Sequence, residues 1–138
     1  MTATDFWQKH QVGGPFATLE ESNAALDERL ALYPKLYELM PVSFPGQTVL
    51  DYGCGPGHDT LQFLLHGARH VYFADISWQA LTTTSERLRL HHLRDQATGV
   101  LAGDELPEAD HVHCAGVDRK STRLNSSHHV VSRMPSSA

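Results

Sequence analysis

Apolar blocks alternate with blocks of mixed polarity along the middle of the chain, and this order predicts strands followed by helices. The block 48–50 is apolar and β-branched, which is typical of a strand buried on both faces. The next block, 58–66, has leucines at helical spacing and is followed by Gly67, a common residue just after a helix. The block 70–76 is again mostly apolar. Together these blocks predict a strand, a helix and a second strand, as in nucleotide-binding βαβ units.

The same pattern continues further along the chain with shorter blocks. Ser77 is a favourable N-cap for a helix predicted over 78–93. A short third strand is predicted around 100–101, and a fourth over 110–117. The alternation of strands and helices predicts an α/β fold built on a doubly wound, Rossmann-like parallel sheet.

The N-terminal segment predicts helices rather than strands. Thr18 and Glu21 have the spacing of a helix capping box, which indicates a helix that begins there and runs to Leu32. A proline then ends or kinks this helix, and a second short helix is predicted over 35–40. We therefore expect an N-terminal helical cap segment, 1–45, ahead of the first strand.

The first predicted strand leads directly into residues that suit a nucleotide-like cofactor. Asp51 comes at the end of a buried strand and needs a partner, because an unpaired buried charge is costly. Gly53, Gly55 and Gly57 then allow a sharp turn whose N–H groups approach a ligand closely. Asp75 follows Gly57 by 18 positions, close to the spacing at which a carboxylate binds ribose hydroxyls. A dinucleotide fingerprint is G-x-G-x-x-G, whereas these glycines fall as G-x-G-x-G.

The segment 49–57 resembles motif I, D-x-G-x-G-x-G, of the class I S-adenosylmethionine-dependent methyltransferases, and the resemblance extends to Val117. It implies strand order 3-2-1-4 for the four predicted strands, which form only part of the family's sheet. It also implies S-adenosylmethionine as cofactor and in-line transfer of its methyl group, for which the protein supplies position and orientation. The cofactor-binding residues that it implies are Asp51, Gly53, Cys54, Gly55, Gly57, Asp75, Ile76 and Asp104.

Individual roles follow from the resemblance. Asp75 would bind the ribose hydroxyls, and Asp104, after the third strand, would accept a hydrogen bond from the adenine amino group. Trp78 either lies against the adenine ring or anchors its helix to the sheet. The N-terminal cap segment either folds over the cofactor and helps to recognise the acceptor, or covers one edge of the sheet.

The acceptor side of the site is less determined. In the family the end of the fourth strand faces the transferred methyl group, which makes His113 and Cys114 the nearest candidates, although buried residues of these types are most often structural. The catalytic residue stays unknown. His91 and His92 are adjacent on a helix and cannot readily share a metal ion, so we interpret them as surface residues and expect no metal site.

Composition narrows the cellular context and the partners. The chain has 138 residues, 41% hydrophobic and 20% charged, which suits one small soluble domain. No apolar run is long enough to span a membrane, no secretory signal is visible, and two cysteines suit a reducing cytoplasm. The net charge of −5 and the absence of the (D/N)PP(Y/F/W) motif of amino-methylating DNA enzymes argue against nucleic acid. We therefore expect a small-molecule acceptor, no nucleic acid and no membrane partner.

The end of the chain has a different character. Residues 118–138 are polar and serine-rich. Read back through the genetic code, 118–128 and 132–138 resemble two parts of a widely used sequencing-library adapter. We therefore interpret 118–138 as a non-native, disordered tail and 46–117 as a partial S-adenosylmethionine-binding domain. The 138-residue chain itself is then expected to be inactive, and either marginally stable or aggregation-prone.

Two alternatives to a methyltransferase stay open from the sequence. One is an NAD(P)-binding Rossmann oxidoreductase, which Asp51 and the glycine spacing disfavour. The other is a non-catalytic protein that keeps the S-adenosylmethionine pocket for sensing or assembly.

Overall fold

A parallel four-stranded sheet forms the centre of the structure, a computed structural model in which residues 14–35 and 45–114 are described. The strand order is β3-β2-β1-β4, and every neighbouring pair is parallel. The predicted α/β class and the order 3-2-1-4 are therefore confirmed. The strands are β1 (Thr48–Tyr52), β2 (His70–Asp75), β3 (Ala97–Leu101) and β4 (His111–His113).

Three α-helices lie entirely within the described residues and accompany the strands: α1 (Leu19–Leu32), α2 (His58–Leu65) and α3 (Trp78–Leu90). The predicted helix over 78–93 thus ends earlier, because His92 adopts a positive φ of 59° and the 3-10 helix Arg94–Gln96 follows. The helix predicted over 35–40 lies, apart from Lys35, outside the described residues.

The start of α1 follows the predicted capping box closely. Thr18 is the N-cap, and its hydroxyl accepts the N–H of Glu21 at 3.1 Å. The Glu21 carboxylate reaches back to the N–H of Ala17 at 2.9 Å, one residue before the N-cap. Both hydrogen bonds satisfy backbone donors that a helix start leaves open, which explains why α1 begins here.

The two faces of the sheet are covered differently in the described part of the chain. Alternate strand residues point to opposite faces. One face packs against all three helices through a buried cluster of Leu26, Val49, Cys54, Leu61, Phe63, Leu64, Ala68, Val71, Phe73, Leu81, Leu88 and Ala97. The opposite face carries a smaller cluster of Leu50, Ala74 and Ala109 with the partly buried Tyr52, Tyr72, Val100 and Val112. None of the described helices contributes to this second cluster, so the described residues provide one of the two helical layers of a doubly wound sheet.

No helix among residues 14–35 and 45–114 has the length and apolar character needed to cross a membrane. The cytoplasmic location stays a prediction.

Candidate functional site

A glycine-rich turn connects β1 to α2 at the carboxyl edge of the sheet. Its three glycines all have positive φ, 79° at Gly53, 56° at Gly55 and 88° at Gly57, a region that L side chains occupy only at a cost. The turn is tied to β2, because the N–H groups of Gly53 and Cys54 both donate to the carbonyl of Ala74, at 2.8 and 3.0 Å. The alternate glycines are therefore required by the backbone conformation itself.

The glycines differ in what surrounds them. A Cβ added to Gly55 would meet nothing within 4 Å, so this side of the turn is open. A Cβ added to Gly57 would lie 2.9 Å from Oγ1 and 3.0 Å from Cγ2 of Thr84 on α3. Gly57 therefore permits α3 to pack closely, whereas Gly55 leaves space in which a ligand can approach the backbone.

Thr84 supports the turn from beneath, and sequence reasoning missed it. Its hydroxyl donates to the carbonyl of Gly55 at 2.9 Å and lies 3.8 Å from the Cys54 sulfur. Cys54 belongs to the buried core, and burial raises the pKa of its thiol well above the usual value. Only the backbone of Cys54 can therefore face a ligand. The cofactor-binding role that the resemblance implies for Cys54 is thus limited to its backbone groups.

Asp75, at the end of β2, bonds to the glycine-rich turn and to the start of α3. One carboxylate oxygen accepts the N–H of Gly55 at 2.9 Å, and the other accepts the N–H of Ser77 at 3.0 Å. Ser77 is in turn the predicted N-cap of α3 and accepts the N–H of Ala80 at 3.2 Å. Burial raises the pKa of Asp75, while the backbone N–H groups of Gly55, Ser77 and Ile76 oppose that shift. Asp75 and Ile76 are both partly exposed, so they remain within reach of a ligand.

Asp51 lies below the turn, on the helix-covered face. Its side chain is buried and accepts a hydrogen bond from the Thr60 hydroxyl on α2 at 2.7 Å. Burial is the main cause that raises its pKa to about 6. The partner that the sequence required for this carboxylate is therefore Thr60, and Asp51 holds α2 to β1 rather than facing solvent.

His113 points into the same buried layer. Its Nε2 lies 2.9 Å from Oδ2 of Asp59, which also accepts from Arg29 of α1 at 3.0 Å. The imidazole packs edge-on against Phe63, with 4.9 Å between ring centroids. Because His113 and Asp59 are both buried, His113 joins α1, α2 and β4 and does not face the acceptor side. Cys114, the other candidate, is partly exposed, and burial raises the pKa of its thiol.

The remaining predicted residues lie along the carboxyl edge. Asp104 is exposed in the turn after β3, where its N–H donates to the carbonyl of Leu101 at 2.9 Å. Leu101 is the register partner of Asp75, so the turn that carries Asp104 follows directly beside the end of β2. Trp78 is 58% exposed at the start of α3, which does not fit the interpretation as an anchor to the sheet.

The structure thus brings Gly55, Asp75, Trp78 and Asp104 to one edge of the sheet, beside an open turn. Ligands of open α/β sheets bind beyond the carboxyl ends of the strands, where the strand order reverses. In the order β3-β2-β1-β4 that reversal lies at β1, the strand that feeds the glycine-rich turn. Topology and local geometry therefore indicate the same candidate site.

Two further side chains lie where the sequence did not predict them: Arg87 was not among the predicted residues, and His91 was interpreted wrongly. Arg87 of α3 is buried, and its guanidinium donates to the carbonyl of Pro56 within the turn at 3.0 Å. The only sequence signal for it is an arginine among the inward positions of an amphipathic helix, next to Leu88. The interpretation of His91 as a surface residue is wrong, because it is half-buried and its Nε2 lies 2.8 Å from the Ser22 hydroxyl. No cluster of metal-ligating side chains occurs within the described ranges.

Residues 49–132 match the profile of a family described as methyltransferase domain. Since this range covers more than half of the 138 residues, the chain belongs to the methyltransferase domain family. Its fold is that of the class I S-adenosylmethionine-dependent methyltransferases, as the resemblance of motif I implied, and the oxidoreductase alternative is set aside. The matched range runs past Val117, and the division at that residue into a native domain and an adapter-derived tail stays a prediction.

Curated relatives with sequence similarity to the chain include two ribosomal protein L11 methyltransferases. That of Legionella pneumophila (strain Corby) is 32% identical over 71 residues, covering 51% of this chain and 25% of the relative. That of Alteromonas mediterranea is 38% identical over 69 residues, covering 50% of this chain and 23% of the relative. The matched segment thus spans only about a quarter of the length of these relatives.

These relatives contradict the predicted partners, a small-molecule acceptor and no nucleic acid, because they are named for a protein of the ribosome. The prediction rested on a net charge of −5 and on one absent motif. A net charge is an average over the whole chain and does not describe the surface that meets an acceptor, which explains the error.

Solved structures share the fold. A precorrin 8w decarboxylase of Methanobacterium thermoautotrophicum aligns with a TM-score of 0.52 and 29% identity, covering 76% of this chain and 52% of that chain. A methyltransferase dependent on S-adenosylmethionine from Mesorhizobium loti aligns with a TM-score of 0.51 and 28% identity, covering 65% and 41%. Geranyl diphosphate C-methyltransferase of Streptomyces coelicolor, solved with S-adenosyl-L-homocysteine, aligns with a TM-score of 0.53 over 71% of this chain and 45% of that one, and at 16% identity it shares the fold alone.

Proposed function

We propose that this chain binds S-adenosylmethionine at the carboxyl edge of its sheet and takes part in methyl transfer from it. The observation that carries the proposal is the open side of the turn at Gly55, where a Cβ would meet nothing within 4 Å, beside the Asp75 carboxylate. When bound, S-adenosylmethionine supplies a methyl group on a sulfonium that is already activated for displacement. The chain's own part is to bind and orient the cofactor.

The residues at this edge suit the chemical groups of that cofactor. Asp75 is partly exposed, and a carboxylate offers about four lone-pair sites, so it can accept from a ribose hydroxyl while it holds the turn. Asp104 is exposed and can accept from the adenine amino group. Trp78, 58% exposed, offers an aromatic face to the adenine ring. Gly53 and Gly55 present backbone without side chains, which permits close approach of the ligand.

Binding is tested by calorimetry with S-adenosylmethionine and S-adenosylhomocysteine, with NADH as the competing ligand. We expect Asp104→Ala to weaken the affinity for both ligands about tenfold, the loss of one charge-assisted hydrogen bond. Asp95→Ala is the matched control, because Asp95 is also exposed but lies in the 3-10 helix before β3, at the opposite edge of the sheet. Tighter binding of NADH, or equal effects of the two substitutions, would contradict the proposal.

For the acceptor we propose a protein. The support is that the curated relatives, including those of Legionella pneumophila and Alteromonas mediterranea, are named for ribosomal protein L11. The test incubates the chain with methyl-labelled S-adenosylmethionine and purified ribosomes, and then separates ribosomal protein from RNA. Label in the protein fraction supports the proposal, and label only in RNA contradicts it. Binding of the cofactor without any transfer agrees both with the expected inactivity of the 138-residue chain and with the non-catalytic alternative.

A further inference from the structure

Arg87 lies at a junction between three parts of the fold. It is on α3 with 1% of its surface exposed, and it is the largest fully buried side chain among the described residues. One guanidinium nitrogen donates to the carbonyl of Pro56, the residue between Gly55 and Gly57. The other terminal nitrogen donates to the carbonyl of Ser22 on α1 at 2.7 Å, and Nε donates to the Ser22 hydroxyl. A single side chain therefore bonds α1 to the turn that forms the candidate cofactor site.

The contacts around the Arg87 guanidinium indicate that it fixes the positions of the groups to which it is hydrogen-bonded. Its central carbon lies 4.2 Å from the ring centroid of Phe16, just before α1, which gives a cation–π contact. The nitrogen that reaches Pro56 also lies 3.1 Å from Nδ1 of His58, the first residue of α2. A buried cation costs desolvation, and the hydrogen bonds that Arg87 donates to the turn and to α1 offset this cost. What an apolar side chain cannot do is hold the Pro56 and Ser22 carbonyls in a fixed relation.

We propose that Arg87 is a positioning residue that couples the docking of α1 to the shape of the cofactor-binding turn. This inference rests on the proposed function. The Pro56 carbonyl belongs to the same peptide unit as the Gly57 N–H, which donates to the carbonyl of Cys54 at 3.0 Å, so its orientation is linked to the backbone on both sides of Gly55. When Arg87 holds that carbonyl and Ser22 together, a ligand that orders the turn also stabilises α1. Conversely, α1 in its docked position prepares the turn for the ligand.

The test combines calorimetry with amide hydrogen exchange, using S-adenosylhomocysteine and the full chain. In the unmodified protein, ligand binding is expected to slow exchange of the α1 amides, Leu19–Leu32, by about tenfold. Arg87→Met, which keeps an unbranched side chain of similar stem length but removes the guanidinium and its hydrogen bonds, is expected to bind about tenfold more weakly and to abolish this slowing. Arg89→Met is the matched control, because Arg89 is exposed on the same helix, and it should change neither quantity.

The outcomes distinguish a failure of the proposed function from a failure of the coupling through Arg87. If the unmodified chain does not bind S-adenosylhomocysteine, the proposed function fails and this inference fails with it. If the unmodified chain binds but Arg87→Met, folded by circular dichroism, keeps the affinity and the slowing in α1, only the coupling is overturned. A purely structural Arg87 would give that second result with a lower thermal midpoint. If Arg87→Met does not fold, the unmodified protein still decides, because unchanged α1 exchange on ligand binding overturns the coupling.

Discussion

Alanine at Gly57 should destabilise the fold more than alanine at Gly55, because only one of the two sites lacks room. At Gly57 the new Cβ would lie 2.9 and 3.0 Å from two atoms of Thr84, and φ is 88°. The positive φ costs about 1–2 kcal/mol and the overlap about 1–3 kcal/mol, so we expect a loss of about 2–5 kcal/mol. At Gly55 the Cβ meets open space with φ at 56°, so only the first cost, about 1–2 kcal/mol, applies.

The backbone cannot readily move to relieve Gly57→Ala. The Gly57 carbonyl accepts the N–H of Leu61 at 3.0 Å, which is the first helical bond of α2. The N–H of Gly57 donates to the carbonyl of Cys54 at 3.0 Å. Relief must therefore come from Thr84, and Thr84→Ala should recover about 1 kcal/mol of the loss in a double-mutant cycle. Urea unfolding followed by circular dichroism measures the unmodified protein, the three single variants and the double variant. The reasoning is refuted if Gly57→Ala is no less stable than Gly55→Ala.

Four further substitutions test other parts of the structure. Asp59→Asn removes the charge that Arg29 and His113 share, so it should lower the free energy of unfolding by about 3 kcal/mol, measured in urea, and leave cofactor affinity unchanged. Trp78→Ala, at a side chain 58% exposed, should change stability by less than about 0.5 kcal/mol but weaken S-adenosylhomocysteine binding in calorimetry. Asp51→Asn should lose stability relative to the unmodified protein as the pH falls from about 6 towards 4, and His58→Gln should gain it.

The opposite signs in the last pair follow from the direction of each pKa shift. Burial raises the pKa of Asp51 from 3.8 to about 6, so between these values the folded state binds a proton that the unfolded state does not, and acid stabilises the fold. Burial and the nearby Arg87 lower the pKa of His58 from 6.5 to about 4, so there the unfolded state binds the extra proton and acid destabilises the fold. Each substitution, at Asp51 or at His58, removes the pH dependence of stability that this group contributes. Urea titrations at several pH values measure the difference, and parallel pH profiles for the variants and the unmodified protein would contradict the assignment.

The sequence predicted those features that depend on neighbouring residues. β1, the glycine-rich turn, α2 and β2 follow one another within 48–75, and each has a local pattern, so their order and their bounds could be predicted almost to the residue. Ser77 and Thr18 cap helices as predicted, because capping is decided within one turn of chain.

Features that depend on tertiary contacts could not be predicted in this way. Thr84 reaches the turn across 29 positions, and Arg87 reaches Ser22 across 65. The orientation of His113 depends on its register with Asp51 in β1, which only the assembled sheet defines. The open space at Gly55 and the crowding at Gly57 likewise depend on where α3 packs, although both residues belong to one motif.

The ribose-binding role proposed for Asp75, added to its structural role, limits how the ligand preference of this site can be redesigned. Substitution of Asp75, the residue that ends β2, is an obvious way to alter which ribose-containing ligand the site binds. Here that same carboxylate also holds the N–H groups of Gly55 and Ser77. A substitution would therefore loosen the turn and the start of α3 together with the proposed ribose contact, and a loss of affinity would not measure ribose recognition alone. Changes in ligand preference are better sought at Asp104 and Trp78, whose exposed side chains can be replaced without altering these bonds.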